Sequence, residues 1–94
     1  MLEEGNRLVI TVLGHDRIGI IAGISAVLAE ARVNILDISQ TILQGFFTMV
    51  MVVDISQGLI DIVELREKLV NKGLDLNLQV TVQHEDIFNY MHRV

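Results

Sequence analysis

The sequence predicts an α+β fold, in which a four-stranded antiparallel sheet built in the order βαββαβ carries two helices on one face and a short helix follows at the C-terminus. Three observations predict it. Four short runs rich in β-branched residues alternate with two segments of helical spacing, all between residues 7 and 84 of a 94-residue chain. Two of those runs, Leu8 to Leu13 and Phe46 to Val53, are apolar almost throughout, which suits strands in the middle of a sheet. The last run alternates Leu76, Leu78, Val80 and Val82 with Asn77, Gln79, Thr81 and Gln83, which suits an edge.

The first strand is Arg7 to Leu13, and Gly14-His15-Asp16-Arg17 reads as the loop that follows. Ile18 to Ala31 form the first helix. Projected at about 100° per residue, Ile20, Ile21, Ile24, Val27 and Leu28 make its core stripe. Its other faces hold Ala22, Gly23, Ser25, Ala26 and Ala29, and its one charged residue is Glu30. So dry an outer face suits a contact between subunits, the alternative being a shield from elsewhere in the same chain. Val33 to Gln44 and Phe46 to Ile55 are two strands joined at Gln44-Gly45, where glycine permits the positive φ of a tight hairpin. Ser56-Gln57-Gly58 then breaks the pattern. The second helix runs from Leu59 to Lys72, with Gly73 expected as its C-terminal cap. Its apolar stripe is Ile62, Leu65 and Leu69 with Leu59 and Val63. Arg66 falls within that stripe and is expected to snorkel from the edge of the core. Leu76 to His84 is the last strand and Glu85 to Val94 the terminal helix. Both alternating sets of strand three are mostly apolar, so the second face of the sheet needs a cover. Ile87, Phe88 and Met91 would supply it, or a second dimer stacked there.

Composition narrows the function. The length suits one domain, residues 1–94, with a core over about 7–84 and a helical segment over about 85–94. Seven Lys and Arg against twelve Asp and Glu give a net charge of -5, which repels a phosphate backbone and argues against nucleic acid as a partner. The absence of cysteine removes disulfides and thiol nucleophiles. The first residues lack the basic and apolar regions of a signal peptide, and no apolar run approaches the roughly 20 residues that cross a bilayer. A cytoplasmic protein without a membrane partner is the expectation.

The densest polar cluster is Gly14-His15-Asp16-Arg17-Ile18-Gly19-Ile20, set between a central strand and the start of the driest helix. Unpaired amides at a helix start carry partial positive charge and suit a carboxylate or phosphate, and Gly19 would admit a ligand close to the backbone. Asp16 could pair with a ligand ammonium group. The plainer alternative makes Asp16 a helix cap and Gly19 an easy turn. Asn34, at the start of strand two, would face the same ligand from a second subunit if two sheets join edge to edge.

The stretch from Gly14 to Ile21, with Ile24, Leu28 and Val33-Asn34-Ile35, resembles the ACT domains over about residues 7 to 84. Asp37-Ile38-Ser39-Gln40-Thr41, Phe47-Thr48-Met49 and the ending Ile87 to His92 are most similar to the short stand-alone UPF0237-type members. The resemblance implies a ferredoxin-like sandwich and regulatory binding of an amino acid between two domains. Its site would be Asp16, Arg17, Ile18, Gly19 and Ile20 of one subunit with Asn34 and Ile35 of the other. Several serine- or glycine-linked ACT domains have a polar residue two positions before the one matching Asp16. Here that position is Gly14.

Rival chemistries lack their residues. Gln44 to Met51 lacks the basic residue and later aromatics of an RNA-stacking strand. Arg17 and Asn34 invite comparison with an acylphosphatase, without its glycine-rich phosphate cradle. His15, His84 and His92, with Asp16, Glu85 and Asp86, lack the spacing of a metal site, and no serine sits in a recognisable triad. No catalytic residue, metal or cofactor is expected. The expected protein is a homodimer or homotetramer that senses an amino acid and signals to a partner enzyme or regulator. The alternative is a ligand-free interaction module.

Overall fold

The computed structural model describes residues 6–58 and 60–92, without the side chains of residues 89–92. Its elements are β1 (Arg7–His15), α1 (Ile20–Glu30), β2 (Asn34–Leu43), β3 (Phe46–Asp54), α2 (Ile62–Asp75), β4 (Leu78–His84) and α3 (Glu85–His92). All three strand pairings are antiparallel, and the order across the sheet is β2-β3-β1-β4. The ferredoxin-like sandwich is therefore present, with the two most apolar strands in the centre as expected.

One face of the sheet carries the core. Leu8, Ile10 and Val12 of β1, Phe47, Met49, Met51 and Val53 of β3, and Leu78, Val80 and Val82 of β4 are buried together with Ile20, Ile24 and Leu28 of α1 and Leu65 and Leu69 of α2. These residues alternate along each strand and pair with one another across the sheet, Ile10 with Met51 and Val82 and Val12 with Met49 and Val80, so a single face is apolar and dry. Removing the apolar surface of a residue like Leu65 from water is worth about 1.5–3 kcal/mol. No residue of β2 is buried.

Several boundaries differ from expectation for local reasons. β1 extends through Gly14 and His15, because His15 pairs with Phe46 and stacks on its ring at 4.9 Å. Gly14 fits there by having no side chain: a Cβ would lie 2.7 Å from Leu78 Cδ2 and 3.1 Å from the Asn77 carbonyl. α2 begins at Ile62 because Asp61 caps it, its Oδ1 accepting from Glu64 N at 2.9 Å. Leu59 lies outside the described residues. The helix runs through Gly73 to Asp75, so the expected cap is wrong. Gly73 is instead a packing glycine, its absent Cβ making room for Val80 Cγ2 at 2.7 Å. The chain turns at Leu76 and Asn77, the latter at φ 58°, which delays β4 to Leu78. Gln44 and Gly45 both have positive φ, as a tight two-residue hairpin requires.

Two assignments to the helix stripes also change. Ile21 is 41% exposed rather than core, because the buried stripe of α1 is the narrower one of Ile20, Ile24 and Leu28, and Val63 of α2 is exposed as well. Gly23 is occupied within the chain: α2 approaches so closely that a Cβ there would meet Leu76 Cδ1 at 3.1 Å. Ala22, Ala26 and Ala29 remain exposed.

On the opposite face of the sheet, α3 packs on β1 and β4. Val9, which points to that face, is 4% exposed there. The terminal segment thus supplies part of the expected cover, although Ile87 is 52% exposed and contributes little of it, while Met91 lies outside the described side chains. The other end of that face, with Leu13, Leu43 and Phe46, is exposed.

Candidate functional site

The β1–α1 loop leaves the sheet at its hairpin end. Asp16 N donates to the Gly45 carbonyl at 2.8 Å, which ties the loop to the β2–β3 turn. Gly19 then adopts φ 96° and becomes the residue that starts α1. That left-handed conformation accounts for glycine at this position, where a side chain would be strained.

Asp16 does not cap the helix. Gly19 holds the cap position, and among the described residues no side-chain hydrogen bond caps the helix. The first intrahelical bond runs from Gly23 N to the Gly19 carbonyl at 2.8 Å, so the amides of Ile20, Ile21 and Ala22 precede the helical ladder. The Asp16 carboxylate is exposed and makes no hydrogen bond among the described residues. Ile18 is 98% exposed, an unusual position for a β-branched apolar side chain. These features set the amides of a helix start in the same loop as a carboxylate and an exposed apolar group.

The other expected residues divide. Arg17 turns away from the helix start, its Nη1 donating to the Leu76 carbonyl at 3.4 Å at the end of α2. Ile20 is 2% exposed, so only its backbone could meet a ligand. Asn34 and Ile35 are exposed at the start of β2, where Asn34 pairs with Asp54. Asp16 follows His15, which pairs with Phe46 at the other end of β3. Within one chain, Asp16 and Asn34 therefore lie at opposite ends of the sheet. The ten residues of β2 span about 30 Å at roughly 3.3 Å each.

Sequence reasoning missed the irregular start of β2. A β-bulge falls between Ile35 and Asp37, and Asp37 Oδ1 accepts from Ile38 N at 2.9 Å. A groove of about 210 Å³ lies between α1 and α2, lined by Val27, Glu30, Ala31, Ile60, Glu64 and Lys68. It is separate from the loop. Among the described residues no group of His, Asp or Glu is arranged to hold a metal ion, and no helix is long and apolar enough to cross a membrane.

Comparison with known proteins agrees with this architecture. The family model for the ACT domain matches residues 6–83. The chain belongs to the ACT domain family. A UPF0237 protein of Methanocaldococcus jannaschii is 56% identical over 89 residues, covering 95% of this chain and 99% of that one. The solved ACT domain protein from Streptococcus pneumoniae is 42% identical with a TM-score of 0.77, covering 89% of this chain and 94% of the other. The regulatory subunit of aspartate kinase from Thermus thermophilus shares the fold, at a TM-score of 0.67 and 20% identity, over 85% of this chain and 52% of that one. UPF0237 proteins are thus relatives of this ACT domain along nearly its whole length.

Proposed function

We propose that this ACT domain is an oligomeric cytoplasmic sensor that binds a small amino acid between two copies and transmits the bound state to an enzyme or regulator. One observation carries the reading: β2 is an uncovered edge strand that separates Asp16 at one end of the sheet from Asn34 at the other. Two β2 strands paired antiparallel would run the partner's Asn34 end toward the hairpin end of the first copy, to which the Asp16 loop is tied. The site is then complete only in the pair. A ligand that contacts both copies favours the arrangement offering all its contacts at once, which is how binding becomes a signal.

The domain also has features of a ligand-free interaction module. Arg17 is engaged by α2, and Gly14 is explained by its fit against Leu78. Thermal unfolding of the purified protein against the standard amino acids, with oligomer mass measured alongside, separates the two. A sensor shows a raised midpoint with one amino acid, since a ligand binding only the folded state stabilises it by mass action. Asp16→Ala and Asn34→Ala each remove that rise. No rise with any amino acid, at unchanged oligomer mass, supports the module.

A further inference from the structure

The sheet has two edges, and each could in principle accept a strand. Arg66 reaches from α2 to the β4 edge, where its Nε and Nη2 both donate to the Val82 carbonyl, at 3.2 and 2.9 Å. β4 has β1 on one side only, so a carbonyl engaged by a side chain from α2 is one that faces away from β1. In an antiparallel ladder the N–H and C=O of one residue point to the same side, so Val82 belongs to the set that an added strand would have to use. Two charge-assisted donors on one acceptor are hard to displace with a single neutral amide.

Among the described residues, no side chain from another element is bonded to the β2 edge. Its early part is irregular, with the bulge and the Asp37 carboxylate on Ile38 N. From Ser39 to Leu43 it is regular and uncharged, and all of it is exposed. Because Ile38 N is taken by Asp37, the amides of like parity, Gln40 and Ile42, point away from β3.

We propose that Arg66 makes the sheet a one-edged interaction surface: a second copy adds at β2, and β4 is closed to it, so that edge pairing ends at two copies. This rests on the reading of β2 as the pairing edge. A sheet open at both edges would instead join copies in unlimited succession, because each added copy would present a fresh edge.

Sedimentation velocity over a concentration series tests the proposal on wild-type protein, Arg66→Met, Gln40→Pro and the double variant. Arg66→Met keeps the apolar stem of the side chain and removes its donors. Gln40→Pro removes an outward amide of β2 and leaves the amides facing β3. Wild type should hold one mass at all concentrations. Arg66→Met should add species that grow with concentration, and the double variant should stop at two copies or fewer. An Arg66→Met protein with native circular dichroism and the wild-type mass throughout overturns the proposal. If Arg66→Met does not fold, Arg66→Leu is read in the same way. Failure of the β2 reading shows separately, as an unchanged mass in Gln40→Pro alone. The guard is then decided by whether Arg66→Met gains mass over wild type.

Discussion

At the β4 edge, Leu78, Val80 and Val82 are buried under α2, and Gly73 lets that helix come within van der Waals contact of the strand. At the β2 edge all ten residues are exposed, including Ile35, Leu36, Ile38, Ile42 and Leu43. The same sheet thus ends once in a finished core and once in an open apolar border. The contrast shows that edge position alone does not set a strand's surroundings. α1 and α2 lie over β1, β3 and β4, and β2 falls outside their cover. An apolar strand left outside the core of its own chain is the edge on which the proposed pairing rests.

The contrast can be broken first on its buried side. Leu69→Ala removes a fully buried side chain of α2 and should cost about 2–5 kcal/mol in chemical denaturation. On the open side, Ile42→Ser alters a residue that is 54% exposed and should change the stability of a single chain by no more than about 0.5 kcal/mol. A larger loss that disappears on dilution would reveal β2 buried against a second copy. The smallest effect concerns pH at the first rung of β2, where Asn34 pairs with Asp54. Hydrogen bonds from Ser56, chiefly from its backbone amide to Oδ1 at 2.8 Å, hold the Asp54 carboxyl below the usual carboxylate value, with a smaller contribution from Arg7. A carboxyl with a lowered folded-state value contributes stability above its unfolded value and loses it as pH falls through the folded one. Melting temperature should therefore decline slightly more on acidification below about pH 4 in wild type than in Asp54→Asn.

Element order and the central pair of strands were legible because alternation and unbroken apolar runs report burial directly: Leu8 to Leu13 and Phe46 to Val53 needed no other information. The hairpin was equally plain, since few residues besides glycine take the φ of Gly45. The ends of α2 were not, because Gly73 carries the same letter whether it terminates a helix or makes room for Val80, and only the third dimension decides between them. The cap at Asp61 was hidden for a similar reason, as an acidic residue near a helix start reads equally well as part of its solvated face. The loop from Asp16 to Ile20 was visible as a polar cluster. That Asp16 leaves the helix uncapped, that Arg17 turns to Leu76 and that Ile20 points into the core depend on a chain direction set by Gly19 and the tie to Gly45. The bulge at Leu36 left no mark in the apolar pattern, because Ile35, Leu36 and Ile38 read as residues of an apolar strand whether or not one of them is extra.

The position of β1 between β3 and β4 has a consequence for how the protein is made. Its partners Asp54 and His84 lie far along the chain from Arg7 and Leu8. Within this sheet the strand made first thus waits for the one made last before its second flank is filled. Pairings so distant in sequence raise the entropy of closure and slow folding compared with the local β2–β3 hairpin. During synthesis the hairpin can form early, whereas Leu8, Ile10 and Val12 stay solvated until the C-terminal third of the chain appears. The nascent chain therefore passes through a stage in which one of its two central strands is bare on one side.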